Sequence, residues 1–467
     1  MGLIIITIID VIGLFISFQL SYFVRAEIFP YFYVLKEPLP LTIFNPLWFP
    51  VVLIFFFWYE SLYDKRYPLW EEVRQIWKAS FLTSLTTLAI VSLGKLTESI
   101  SRTVLLLTFL NSLWILPITR LYVKRFLLHT GIWRKKIVVI GAGKTAELFS
   151  KAMSKEKNMG YQIAGYLDDD KKKKDKTING VRVLGELSDL DRIIKFTSIK
   201  DVVIAIPSLK SEKLVKLINE IQKKVKKVSF IPDLFGIPFL QSDMDFFFEN
   251  HLLMLNVRNS LKNPFNKAVK SVFDLVVSIP MVIISLFVIL VCAVLIKLDS
   301  KGPVFIIQNR IGKNGKNFRC IKFRGMYVNA DEILEKTLKK DRNKKKEWET
   351  YHKLKNDPRV TKFGKILRKS SLDELPQIFN VIKGEMSLVG PRPYLPREKN
   401  KIGDFHSIIT EVTPGVTGLW QVSGRSKTSF MERLVIDSWY VQNWSLWLDI
   451  MVIIKTIKVV FKREGAY

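Results

Sequence analysis

Residues 367 to 393, LRKSSLDELPQIFNVIKGEMSLVGPRP, gather two adjacent acids, Asp373 and Glu374, with Arg368 and Arg392 in one short run. An ionised carboxylate can serve as a nucleophile or a metal ligand, and an arginine held between prolines clamps phosphate through a planar fork. Pro376 suits the first turn of a helix, where its missing N–H is not needed, so the two acids are expected just ahead of a helix N-terminus. The helix dipole there favours an ionised carboxylate and a bound phosphate. A capping box, Ser371 with Glu374 in S-x-x-E spacing, accounts for the same residues without chemistry. It would, however, put Pro376 at a fifth helical position, where an N–H is wanted.

Upstream, GPVFIIQNRIGKNGKNFRCIKFRGM (302 to 326) predicts two short strands joined by a glycine-containing turn. Lys322 and Arg324 alternate with Phe323, so they are expected on one face, suited to a phosphate or else merely solvated. Residues 335 to 355 are dense in charge and predict a solvated connecting helix without chemistry.

The acidic run, KFRGM (322 to 326), DPRVTKFGKILR (357 to 368), TPGVTGLWQVSGR (413 to 425) and the terminal REGAY together resemble the bacterial sugar transferase family. Its members are monotopic phosphoglycosyl transferases, and the resemblance covers roughly residues 264 to 467. It implies transfer of a hexose-1-phosphate, from UDP-galactose or UDP-glucose, to undecaprenyl phosphate, initiating exopolysaccharide, capsule or O-antigen assembly. Asp373 would attack the β-phosphorus, form an aspartyl-phosphosugar and release UMP. Glu374 would assist, and Mg²⁺ would sit at Asp373. Lys322, Arg324, Arg368 and Arg392 would bind phosphate, and Trp420, Gln421 and Arg425 the nucleotide. Trp420 reads equally well as a core or interface residue. A homodimer is left open.

These residues must be held by a membrane protein. The 467 residues carry 72 Lys and Arg against 43 Asp and Glu, a net charge of +29, which implies anionic partners. Hydrophobic residues make up 48% and mean hydropathy is +0.16, favouring a lipid bilayer over nucleic acid, for which no recognition motif is present. Two cysteines, Cys292 and Cys320, predict no structural disulfide, and four scattered histidines argue against a zinc site. No cleavable signal is expected at the N-terminus.

Apolar segments at about 3 to 24, 43 to 62, 79 to 94 and 103 to 119 predict a four-helix transmembrane bundle, the last two being short for a span. Lysines and arginines after the second and fourth place both ends of the bundle in the cytoplasm. Asp10, inside the first segment, is expected near the interface or packed within the bundle. KIVVIGAGKTAELFSKAM (136 to 153) and the alternating segments after it predict a doubly wound domain. There Gly141 and Gly143 could admit a pyrophosphate with Asp168 on a ribose, or could simply make a tight turn.

A 22-residue uncharged run at 275 to 296 is long enough to cross, but its basic flanks both favour the cytoplasm. The resemblance implies a re-entrant helix, and Ser278 with Pro280 is the available break. The expected fold is thus an α+β membrane protein in the bacterial inner membrane. Its parts are a four-helix transmembrane bundle (1–125), a Rossmann-like α/β domain (133–250) and a monotopic phosphoglycosyl transferase domain (264–467). The last carries a membrane helix at 271–297 and faces the cytoplasm.

Overall fold

The computed structural model describes residues 2–32, 48–94, 101–197, 199–233, 243–247, 252–256, 260–351, 354, 357–423 and 428–462. The chain divides into two compact units, Met1–Phe235 and Gly236–Tyr467.

In the first unit the helices are α1 (Gly2–Phe23), α2 (Phe49–Tyr59), α3 (Leu69–Leu93) and α4 (Arg102–His129). Of these, α1, α3 and α4 are long and apolar enough to cross a membrane. The second expected span is an 11-residue helix, with residues 43–47 outside the described ones. Conversely, α3 and α4 outrun the apolar segments that announced them, because the charges at their ends are paired inside the bundle. Arg120 contacts Asp10 at 2.6 Å and Glu72 at 3.1 Å, and Lys124 contacts Glu72 at 2.6 Å. All four side chains are buried, and charges persist in such a place only when each has a partner. Asp10, which also accepts a hydrogen bond from Tyr63 at 3.1 Å, is therefore a packing residue of the bundle.

The α/β part is docked on this charged end. Arg66 donates to the carbonyls of Trp133 and Met159 at 2.7 and 2.9 Å, and Asn158 donates to Glu72. Strands β1 (Lys135–Ile140), β2 (Tyr161–Leu167), β3 (Thr177–Ile178), β4 (Val181–Gly185), β5 (Asp201–Ile204) and β6 (Lys227–Phe230) order as β3-β4-β2-β1-β5-β6. The sheet is Rossmann-like, parallel except for β3, with helices α5 (Lys144–Lys155), α6 (Leu190–Thr197) and α7 (Ser211–Gln222). Apolar residues alternate to cores on both faces, Val138 and Ile140 on one, Ile137 and Val139 on the other, as a covered parallel sheet requires.

The second unit opens with an antiparallel pair, β7 (Asp243–Phe247) and β8 (Leu252–Asn256), and then α8 (Pro264–Asp299). Asn263 caps α8 by accepting from Phe265 N at 2.9 Å, and Pro264 occupies the first turn. At 36 residues α8 is about 54 Å long, and it is one continuous helix through Ser278 and Pro280. The expected break is not formed. Proline removes one rung of the ladder, but packing fastens the helix on either side of it. Before Pro280, buried Lys270 contacts Asp449 at 2.7 Å and Asp274 accepts from Ser387 at 2.7 Å. After it, Ile289, Cys292 and Ile296 enter a buried cluster. Between these anchors Val276, Ile279, Ile283, Ile284, Phe287 and Leu290 are exposed and apolar.

The rest of the unit follows α8 in the chain. Strands β9 (Phe305–Ile311) and β10 (Asn317–Phe323) pair antiparallel across the expected turn. Helices α9 (Ala330–Lys340) and α10 (Arg342–Tyr351) take up the charged stretch. Then follow α11 (Lys362–Ser370), α12 (Ile378–Ile382), β11 (Ser387–Val389), α13 (Lys399–Ile402), α14 (Phe405–Ile409), β12 (Gly415–Thr417), α15 (Leu419–Ser423), α16 (Phe430–Gln442) and α17 (Leu446–Lys462). β11 and β12 pair in parallel.

Candidate active site

The acidic pair sits where α11 is made to stop. Thr361 Oγ1 accepts from Gly364 N at 3.0 Å to start the helix, and Asp299, at the end of α8, accepts from Phe363 N at 2.9 Å. At Ser371 the chain takes a left-handed φ of 59°, which ends α11 and sends the next turn in a new direction. That turn is a 3₁₀ helix, Leu372–Gln377. Residues three apart eclipse in such a helix, so Leu372 and Leu375 point together into the cluster of Ile289, Cys292, Ile296, Phe323 and Leu367. Asp373 and Glu374 are left on the other side.

The helix start differs from the expected one. Pro376 lies within the 3₁₀ turn, and α12 begins only at Ile378, two residues beyond it. Ser371 makes no side-chain cap, so the capping box is not formed.

Glu374 accepts a hydrogen bond from Lys322 Nζ at 2.6 Å. The strand carrying Lys322 is stapled to α12 by Asn380, whose buried amide accepts from Ile321 N at 3.1 Å and donates to Arg319 O at 2.8 Å. Burial, and then the neighbouring charge of Glu374, push the Asp373 carboxyl up to about 6, against the opposing charges of Lys322 and Arg368. Arg368 is exposed on the last turn of α11, within electrostatic reach of Asp373.

Arg324 is not on this face. It follows the end of β10 and turns to the C-terminus of α8, donating to Ser300 O at 2.7 Å, Ser300 Oγ at 3.0 Å and Lys301 O at 2.9 Å. The alternation that paired it with Lys322 fails because the strand stops at Phe323. Arg324→Ala is expected to lower thermal stability by about 3 kcal/mol, since it strands helix-end carbonyls and loses charge-assisted bonds. Thermal unfolding in detergent measures this.

A second group of charges surrounds the GPRP loop. Arg392 lies 5.7 Å from the Trp420 ring and Arg433 of α16 lies 4.9 Å from it. Trp420 is 9% exposed, so it is buried against these guanidiniums instead of offering an open face. Gln421 follows it on α15, its amide oxygen close to where a side chain on Gly418 would sit, and Arg425 lies outside the described residues. Asp437, fully buried, accepts from Arg392 N at 3.1 Å and from Tyr394 OH at 2.9 Å. Burial pushes its carboxyl up to about 7, despite those hydrogen bonds and the charges of Arg392 and Arg433. Arg310 of β9 donates to Pro393 O at 3.0 Å, and its own ionisation feels both Arg392 and Glu374, so it joins the two groups. Arg310, Arg433 and Asp437 were not foreseen. On α16 the last two read as an ordinary surface pair four residues apart, and nothing local announces that Asp437 meets a loop 45 residues earlier.

In the α/β sheet the glycine turn is closed by its own chain. Asp168 Oδ2 accepts from Ala142 N at 2.7 Å and contacts Lys173 at 3.0 Å. Partial burial would raise the carboxyl, but the N–H groups of Asp170 and Ala142 and the Lys173 charge outweigh it and hold it below the usual range. Gly141 has φ of 100°, and a Cβ there would meet Ala205 O at 2.8 Å, a packing reason for glycine. A Cβ on Gly143 would meet nothing within 4 Å.

Among the described residues no three His, Cys, Asp or Glu side chains gather as a metal site. Asp373 and Glu374 alone still fit magnesium, which is held by one or two carboxylates plus substrate phosphates and water.

Residues 265–463 match the family model described as bacterial sugar transferase, and residues 61–232 match one described as a CoA-binding domain. The UDP-galactose-lipid carrier transferase of Erwinia amylovora is 36% identical over 434 residues, 92% of this chain and 90% of its own length. The undecaprenyl-phosphate galactose phosphotransferase of Salmonella typhimurium is 36% identical over 421 residues, covering 89% and 87%. The exopolysaccharide production protein ExoY of Rhizobium meliloti is 43% identical over 205 residues, 44% of this chain and 90% of its own. With likeness running through nearly the whole length, and a family match that contains Asp373, Glu374 and the arginines around them, this chain belongs to the bacterial sugar transferase family.

Proposed function

We propose that the chain transfers a hexose-1-phosphate from UDP-galactose or UDP-glucose to undecaprenyl phosphate and so initiates assembly of a surface polysaccharide. The observation that carries this reading is the Asp373–Glu374 pair, raised on a 3₁₀ turn whose apolar side rests on α8 and held by Lys322. The names of the relatives supply the donor sugar and the lipid carrier.

A carboxylate oxygen of Asp373 attacks the β-phosphorus, and the bond from that phosphorus to the bridging oxygen breaks. UMP leaves with the electron pair. The phosphate oxygen of the lipid then attacks the same phosphorus and returns Asp373 as carboxylate. Lys322 keeps Glu374 beside the reacting group, poised to accept a proton from the lipid phosphate. Arg368 and Arg392 bind phosphate. Magnesium held by Asp373 would supply neutralisation of charge developing on the phosphates.

Asp373 must be ionised to attack, and its raised pKa means it is protonated below about pH 6. The expected kcat/KM therefore falls about tenfold per unit below that pH. Lys322→Met removes a charge that holds this pKa down, so its acid limb is expected at higher pH. An acid limb near 4 in both proteins would contradict the assignment.

We further propose that the catalytic unit is monotopic on the cytoplasmic face of the inner membrane. In support, the same unit grips α8 from Lys270 to Asp299, so a perpendicular crossing would bury charged elements in lipid. The apolar strip between those anchors, exposed along a continuous α8, lies against one leaflet of the bilayer. UMP release from a panel of UDP-sugars, with lipid and magnesium present or withheld, tests the function. Release with one sugar, dependent on metal and enhanced by lipid, is expected; silence across the panel from folded protein would overturn it.

A further inference from the structure

Three buried polar atoms around the GPRP loop have no hydrogen-bond partner among the described residues: Asp437 Oδ1, Trp420 Nε1 and Arg310 Nε. A buried polar atom left unsatisfied carries a desolvation penalty of about 1–3 kcal/mol, and three at one place mark a site arranged for something else. The local charge points to what that is. Arg392 and Arg433 converge on the Trp420 ring and Arg310 stands close by, while one carboxylate, Asp437, reaches into the group. Arg392 and Arg433 are only half-buried, so a solute can reach them.

We propose that Arg433 is a further phosphate-binding residue for the donor nucleotide, and that Asp437 takes up a proton when the diphosphate binds between Arg392 and Arg433. This rests on the donor reading above. The reason is electrostatic. The two guanidiniums keep the buried carboxylate ionised, and a diphosphate that engages them withdraws that support. Because burial already holds Asp437 near 7, the loss of its counter-charges moves it to the protonated form.

Tyr394, Glu398, Tyr440 and His406 stand on the elements around Asp437. Tyr394 donates to Asp437, and burial raises its phenol far above neutral pH. Glu398 is engaged with Leu395 N at 2.7 Å. On α16 itself, Tyr440 donates to Asp449 at 2.6 Å. On α14, packed against α16, His406 is turned to Gly315.

Calorimetric titration of UDP-galactose and UDP-glucose into the full-length Asp373→Asn protein avoids turnover and removes the raised carboxyl of the acidic pair. In buffers of different ionisation enthalpy at pH 7, the expected uptake is roughly half a proton per nucleotide, and affinity falls as pH rises above 7. Adding Asp437→Asn, which keeps an acceptor for Arg392 N and Tyr394 OH, is expected to abolish the uptake and flatten the dependence. Adding Arg433→Met is expected to weaken binding about ten- to a hundredfold. In parallel, an alkaline limb of kcat/KM near pH 7 should vanish in Asp437→Asn with Asp373 intact. Binding without proton uptake, or uptake unchanged by Asp437→Asn, overturns this inference alone. No binding of either nucleotide overturns the donor reading and this inference together.

Discussion

Asp373→Asn abolishes UMP release, by about 10⁴-fold or more, while the protein is produced and folds as before. The size follows from what is removed. An amide is not a nucleophile at phosphorus, and loss of a covalent nucleophile leaves only the binding and electrostatic contributions of the site. Folding is expected to survive because Asp373 has no ion-pair partner at contact distance among the described residues, and its ionised form is already disfavoured by burial and by Glu374. The sign is definite. A carboxyl whose folded pKa lies above its unfolded value loses stability on ionising, so at pH 7 the neutral amide is expected to match or raise the melting temperature. UMP release and thermal unfolding on the same preparation check both halves. Substantial turnover by the variant would remove Asp373 from the mechanism.

Lys270→Met is expected to cost about 3–5 kcal/mol and to take most of the folded protein with it, though Lys270 touches none of the proposed catalytic residues. Its ammonium is enclosed by Asp449 Oδ2 at 2.7 Å, Val389 O at 2.9 Å and Tyr440 OH at 3.2 Å, in the unit's main core. Removing it leaves Asp449, fully buried, with Tyr440 and Trp444 as its remaining side-chain donors among the described residues. The same bonds tie α8 to β11 just ahead of the GPRP loop, so the loss should also loosen Arg392. Combining Lys270→Met with Asp449→Asn is expected to recover part of the loss by removing the stranded charge, and a double-mutant cycle read by thermal unfolding measures it. A single variant as stable as wild type would show that the network contributes little.

Much of this was legible in the chain itself. The Rossmann-like alternation, the β9–β10 hairpin and the neighbouring acids Asp373 and Glu374 follow from local patterns, because strand period and turn residues act over a few positions, whereas the contact of Lys322 with Glu374 spans 52 residues. What was not legible depends on distant partners. Glu72 and Arg120 sit in buried helical positions because each neutralises the other, and no window of hydropathy sees a partner 48 residues away. The direction of Arg324 depended on where β10 ends, which is set by the close of α8. Ser278 and Pro280 looked like a helix break because proline weakens a helix locally, whereas Lys270 and Ile296, at the two ends, hold it in one piece. Asp437 is an unremarkable acid in sequence and becomes notable only when folding places it under Arg392.

The covalent step can be tested directly. The protein, with magnesium and its UDP-sugar but no lipid acceptor, is quenched, digested and analysed by mass spectrometry. The expected result is a hexose-phosphate on the peptide containing Asp373, absent from Asp373→Asn and lost on adding undecaprenyl phosphate. Turnover with no adduct at any time, or an adduct on another residue that the lipid discharges, would contradict a mechanism built on Asp373.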